Sequence, residues 1–403
     1  MARLRHIILA AVLSLGLMSC SRAQETTGEG VKYISLPREY RALYDELAEK
    51  LDHLGKGIRS QWNGKKAGTA FGVELLVANS NRGEVLLTDR VFEATILTLD
   101  RLKDLGVRSV ALSIQYPILT PSYPRSSEYR DFYKRVARQI RSRGYVLVVE
   151  MGTTFREPEF SKMRVDYGGL TMERFNGQLR QMAERIVGDL GPDYFTILNE
   201  PDTQTTNTGL NFSVSNYAAT IRHVVEGLQH PGVRLGAGAG TWSPMAYFAA
   251  LVRIPQLDYI DLHIYPIQRD FILDRVTEVT GLARKQEKGV SIGEAWLYKV
   301  SRRELGRISP VKAFARDVYS FWQPLDTQFL EVIVNLSHHI DAEFCSFFWM
   351  KYLYGYIDYN ANTRALRPQR LINAVDSLAG RQILDGQLNQ TGERLKMLIA
   401  PDQ

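Results

Sequence analysis

Along the chain one pattern recurs: an amphipathic stretch ending in Gly or Pro, then a short run of apolar residues. "LTLDRLKDLG" precedes "VRSVALSIQYP", "YKRVARQIRSRG" precedes "YVLVVEMG", and "LRQMAERIVGDLGP" precedes "DYFTILNEP". The same alternation joins "IRHVVEGLQHPG" to "VRLGAGAG", "YFAALVRIPQ" to "LDYIDLHIYP", "VTGLARKQEKG" to "VSIGEAWLY" and "FLEVIVNLSHHI" to "DAEFCSFFWM". Each glycine stands where a helix C-cap is expected. With "TAFGVELLVA" as the opening strand, eight strands are predicted.

Strands rich in Val, Ile and Phe, apolar on both faces and separated by amphipathic helices, call for a parallel sheet covered by helices. Eight such units favour a closed (β/α)8 TIM barrel, an α/β fold, over an open doubly wound sheet. The open sheet is disfavoured further because "VANSNRGEV", not a Gly-rich phosphate loop, follows the first strand. The barrel is placed at residues 67–385, as a single domain. A linker and an extra helix from Pro37 to about Gly55 occupy 24–66; the last barrel helix follows Arg367, and 386–403 is read as a tail.

Residues 1–23 read as a signal peptide, since Arg3 and Arg5 precede the apolar run "IILAAVLSLGLM", too short to span a bilayer. "LMSC" resembles a bacterial lipobox, which would make Cys20 a lipidated first residue anchored in a membrane; Ser21-Arg22-Ala23 would instead suit ordinary cleavage before Gln24. The lipoprotein reading is preferred, with the outer membrane or cell surface as its place, and a periplasmic or secreted protein as the other. Cys345 is the second of two cysteines; in the apolar run "FCSFFWM" it reads as a buried small hydrophobe rather than a nucleophile. The formal charge of +6 falls to about +4 without Arg3 and Arg5, and no basic run stands out, so nucleic acid is a poor partner.

Chemistry in such a barrel gathers at the C-terminal ends of the strands. Glu200 in "LNEP" ends the fourth strand and Glu294 in "GEAW" ends the seventh, so closure brings two carboxylates across one mouth. A carboxylate pair is what glycosidic bond hydrolysis requires: one protonates the leaving oxygen, the other attacks or activates water. Burial and mutual repulsion are expected to raise the pKa of the acid. Trp242 and Trp296, at strand ends, offer aromatic faces to sugar rings, and some of Tyr352, Tyr354 and Tyr356 are expected at the mouth. Glu74 and Glu150 lie within strands and read as structural carboxylates. His338 and His339 read as surface or interhelical residues, and no metal or nucleotide signature is seen.

"LNEP", "HIYP" and "GEAW", on strands four, six and seven, resemble the strand-end motifs of the retaining glycoside hydrolases of clan A, such as the cellulase-type families. The resemblance covers roughly 67–385. It implies Glu200 as general acid/base, Glu294 as nucleophile, and Asn199 as the residue holding the sugar 2-hydroxyl. It further implies that His263 and Tyr265 form the His-x-Tyr element, with Tyr265 bonded to the nucleophile, and that Trp349 floors the sugar subsite. Such enzymes usually carry an Arg after strand two and a His after strand three. Here those strands end "SIQYPILTP" and "VVEMGTTF", leaving Gln115, Tyr116 or Glu150 as candidates for those roles. The expected activity is retaining hydrolysis of β-linked polysaccharide or oligosaccharide without a cofactor. The alternatives are a non-catalytic glycan-binding surface lipoprotein on the same scaffold, and a transglycosylase.

Overall fold

The apolar runs form eight parallel strands: β1 (Ala70–Glu74), β2 (Ser109–Tyr116), β3 (Val146–Thr153), β4 (Tyr194–Thr196), β5 (Arg234–Gly240), β6 (Tyr259–Ile264), β7 (Gly289–Ala295) and β8 (Phe344–Phe347). In the computed structural model, which describes residues 36–265, 267 and 272–400, they pair in sequence order and β8 returns to β1, Ala70 against Phe344. The chain is therefore a closed (β/α)8 barrel. Cys20 and the leader lie outside the described residues.

The expected N-terminal helix is α1 (Arg38–Gln61). Leu43, Leu47, Leu51, Leu54 and Ile58 recur every three or four residues on its buried face, the stripe an amphipathic helix turns to a core. It packs on the helix Gln323–His339. Each fully buried leucine contributes about 1.5–3 kcal/mol relative to exposure. The stretch expected as a tail contains a further helix, Gln390–Ile399, capped by the Asn389 side chain and packed on the same helix through buried Leu395. His338 is buried rather than at the surface: its Nδ1 accepts from the Ala67 amide at 3.1 Å and its ring stacks on Trp62. Cys345 is buried as expected, and burial pushes its thiol up to about 12.

Inside the ring, side chains stack in layers. The lower layer is apolar: Tyr194, Tyr259 and Phe344, from β4, β6 and β8, meet ring to ring at 4.9–5.6 Å beside Ala70, Ala111 and Val148. Two residues further along their strands come Glu150 and Asp261, so the period-2 alternation of a strand carries the interior from aromatic to acidic. On β5, Gly236, Gly238 and Gly240 face this interior: a Cβ there would lie within 2.5 Å of the Tyr259 ring, the Asp261 carbonyl or the Trp242 ring. The glycines of "GAGAG" are what lets large neighbours fill the barrel.

Beyond β7 the chain is pinned by a buried ion cluster. The Lys299 ammonium lies 2.5 Å from Asp326 and 3.5 Å from Asp317, and Tyr356 donates to Asp326 at 2.7 Å. Burial, with Asp326 adding and Lys299 opposing, pushes Asp317 up to about 7. A carboxyl raised in this way binds its proton more tightly folded than unfolded. Its contribution to stability is full below about pH 4 and is lost as pH rises through about 7. Between pH 4 and pH 8, urea unfolding is expected to show wild type losing, on the order of a few kcal/mol, more stability than Asp317→Asn. Identical pH dependence in the two proteins would contradict this.

Candidate active site

Ladder hydrogen bonds carry β4 past Thr196, from the Ile197 amide to Gly236 and from the Gly238 amide to Leu198. Glu200 follows in a left-handed conformation, φ 48° and ψ 69°, and Pro201 opens the helix Pro201–Thr208. Pro suits the first helical position, whereas a non-glycine residue at positive φ is costly and persists where surrounding bonds fix it. Here they do: Thr203 donates to Glu200 Oε2 at 2.7 Å and Gln204 to the Asn199 carbonyl at 2.7 Å. Glu294 reaches the same space through a bulge in β7. Leu262 pairs with Ile292 but His263 pairs with Glu294, so Gly293 is the extra residue that re-aims the strand end.

The two carboxylates meet across His263. Its Nδ1 lies 2.8 Å from Glu200 Oε1 and 3.4 Å from Glu294 Oε2, and the three donor atoms lie within 4.8 Å of one another. Tyr265 donates a short hydrogen bond to Glu294 Oε2. Below the ring, Nε2 faces Glu150 Oε2 at 3.6 Å and Asp261 Oδ2 at 3.7 Å. Asp261 also accepts from Ser291 at 2.6 Å and from Asn199 at 2.9 Å, and Asn79 donates to Glu74 at 2.5 Å.

Five carboxyl groups around one imidazole fix the proton distribution. Burial opposes charge on Glu200, but the hydrogen bond and charge of His263 outweigh it and hold this carboxyl below its usual range. For Glu294 burial prevails over the attraction of His263, with Glu150, Glu74 and Glu200 adding repulsion, and its pKa is raised well above normal. Burial disfavours the imidazolium, yet Glu294, Glu150 and Glu200 together raise His263 well above normal. Burial and Glu150 push Asp261 up to about 6, and burial pushes Glu74 up to about 8. The expectation of a raised pKa at Glu200 is therefore not met; the raised member of the pair is Glu294.

The other residues named from the sequence divide. Tyr265 and Trp242 stand half-buried at the mouth, their rings 6.1 Å apart, with Trp242 donating to Asp202 at 2.9 Å. Trp349 lies two residues beyond β8, half-buried, 4.4 Å from Phe348, which meets Tyr265 at 5.8 Å. From Trp349 the ring contacts run on through Phe314 and Phe160 to Phe155, at 5.3, 5.4 and 5.8 Å. Three residues expected to meet the sugar are buried. Trp296 is 1 % exposed, stacked on Tyr352 and flanked by the Lys299 ammonium, so it is core rather than a sugar platform. Asn199 is 4 % exposed, its amide nitrogen donating to Asp261 at 2.9 Å. His263 is 3 % exposed, with Nδ1 2.8 Å from Glu200 Oε1. Tyr352, Tyr354 and Tyr356 are likewise buried, and Tyr116 is packed against Phe175. Of the candidates for the missing Arg and His roles, Glu150 is the one that meets the cluster.

Asp261 was missed, although its signal is present: in "YIDLHIY" a polar-tipped side chain, Tyr259, Asp261, His263 and Tyr265, falls at every second position of an otherwise apolar strand.

No family model matches the sequence, and no curated protein matches it. Solved structures do resemble the fold. An exo-beta-1,4-mannosidase from Opitutaceae bacterium strain TAV5 superposes with a TM-score of 0.52 at 14% identity, over 84% of this chain and 61% of that one. This chain thus spans less than two thirds of the mannosidase. Thermotoga maritima Cel5A, solved with mannotriose, gives 0.45 at 14% identity over 77% and 97% of the two chains. A family 1 β-glucosidase from Thermotoga maritima gives 0.45 at 11% over 71% and 89%. What is shared is the barrel.

A methyl group at Gly293 would lie 2.3 Å from Asp261 Oδ2 and 2.6 Å from Glu150 Oε1. Gly293→Ala is therefore expected to destabilise the protein by about 1–3 kcal/mol. Gly177→Ala, in the helix Met172–Arg185 with open space around it, is expected to be neutral or stabilising by about 0.5–1 kcal/mol. Thermal or urea unfolding of both variants checks the pair.

Proposed function

We propose that this chain is a retaining glycoside hydrolase cleaving β-glycosidic bonds in a polysaccharide or oligosaccharide by double displacement. The observation that carries the reading is the approach of Glu200 and Glu294: their facing oxygens stand within 4.8 Å at the barrel mouth. Retaining enzymes hold their carboxyl groups about 5–5.5 Å apart, whereas inverting ones leave about 6.5–9.5 Å for a water. The names of the solved neighbours, among them a mannosidase and a β-glucosidase, support a β-linked sugar as substrate.

In this reading Glu294 attacks the anomeric carbon while Glu200 gives a proton to the leaving oxygen; Glu200 then takes a proton from the water that releases the sugar from Glu294. Burial raises Glu294 and His263 lowers Glu200 in the ligand-free site, the opposite of what the first step uses. Tyr265, bonded to Glu294, is placed to stabilise its carboxylate once the proton has left. The leader supports export, with Cys20 as lipid anchor; mass analysis of the N-terminus after membrane extraction is expected to find a diacylated Cys20, and a start at Gln24 would replace the anchor with simple secretion.

Both Glu200→Gln and Glu294→Gln are expected to lose at least 10²–10⁴-fold in turnover on a natural glycan. Their behaviour separates on aryl glycosides with a nitrophenol leaving group, which needs no protonation: Glu200→Gln keeps glycosylation on these, Glu294→Gln does not. NMR of the first product is expected to show retained anomeric configuration. Glycan binding without turnover across β-linked mannans and glucans would favour a carbohydrate-binding role, and transfer to an added acceptor sugar a transglycosylase.

A further inference from the structure

Beneath the imidazole lies a second cluster of polar groups, of which the proposed hydrolysis uses only His263. Glu150 from β3, Asp261 from β6 and His263 each offer one atom, and the three atoms lie within 4.8 Å of one another. All three residues are at least nine-tenths buried. His263 Nε2 and Glu150 Oε1 have no hydrogen-bond partner, and neither has Asn199 Oδ1 beside them. At 3.6 and 3.7 Å from carboxylate oxygens, Nε2 is too far for a hydrogen bond. A buried polar atom left in this way costs about 1–3 kcal/mol, more beside charge. The groups bonded to Asp261 here, Asn199 and Ser291, are neutral.

We propose that this cluster binds a divalent first-row transition ion, zinc or manganese, through His263 Nε2, Glu150 and Asp261, the ion displacing any proton on Nε2 to solvent. An ion about 2.1 Å from each donor spaces tetrahedral ligands about 3.4 Å apart, so the two separations from Nε2, 3.6 and 3.7 Å, close with a shift of a few tenths of an ångström, and the carboxylate pair, within 4.8 Å, with at most about 1.4 Å. One imidazole with two carboxylates suits zinc or manganese better than calcium, which takes six to eight oxygens. The outer contacts are those of a built site: Ser291 and Asn199 fix Asp261, and Glu200 accepts at the far nitrogen of His263. Gly293 leaves open the space between Asp261 Oδ2 and Glu150 Oε1 that a side chain would fill. The upper trio of Glu200, His263 Nδ1 and Glu294 is the poorer site, because its atoms are engaged by Thr203, by one another and by Tyr265. The site stands whether or not the chain hydrolyses glycans.

The test uses the full chain after dialysis against chelator. Equilibrium dialysis with Zn²⁺ or Mn²⁺, followed by metal analysis, is expected to return one ion per chain. Saturation at a hundredfold excess over Kd is expected to raise the melting temperature by about 3–4 °C. Co²⁺ is expected to give visible absorption bands that are lost in Glu150→Gln, and Glu150→Gln and Asp261→Asn are each expected to weaken uptake at least tenfold. Uptake by wild type no greater than by the double variant would overturn the proposal. Should that variant not fold, a wild-type melting temperature unmoved by both Zn²⁺ and Mn²⁺ would do so alone.

Discussion

The upper barrel depends on one imidazole set among acids. His263 touches Glu200 and Glu294 on its outer edge and faces Glu150 and Asp261 on its inner one. Taking such charges out of water costs several kcal/mol per ion unless they are paired. The cluster tolerates its acids because they shift in opposite directions: burial raises Glu294 and Glu74, while His263 lowers Glu200. Two carboxyls of one chemical type thus acquire different states from their surroundings.

That arrangement is supported by backbone devices that look minor in isolation. The bulge at Gly293 and the left-handed turn at Glu200 aim the two carboxylates at each other, and the inward glycines of β5 clear room for Tyr259, Asp261 and Trp242. Each is a local departure from regular strand or helix geometry, and each occurs where a side chain of the cluster needs space or direction. The lower aromatic layer of Tyr194, Tyr259 and Phe344 closes the barrel beneath them, so the polar layer is set on a packed floor.

The order of strands and the places of Glu200 and Glu294 were legible because both depend on local signals: turn residues after helices, apolar runs of strand length, and an acid at the end of a run. The fate of Asn199 was not, because whether its amide points to the mouth or to Asp261 depends on a carboxylate sixty-two residues away. Trp296 and Tyr352 share a sequence environment with mouth aromatics, and only the course of the chain after β7 and β8 decides that they stack on each other inside. The direction of the Glu200 shift was missed for a similar reason. Repulsion between two acids was visible in the sequence, but the nearer pairing with His263 is a matter of distance.

The rings from Trp242 through Tyr265, Phe348, Trp349, Phe314 and Phe160 to Phe155 touch in succession across loops that follow five different strands. A loop in a barrel enzyme is usually free to vary alone. Here it is not, since enlarging or trimming any one ring shifts the ring after it. The rim therefore behaves as a single jointed collar, and a change in what it accommodates calls for compensating changes on several loops together.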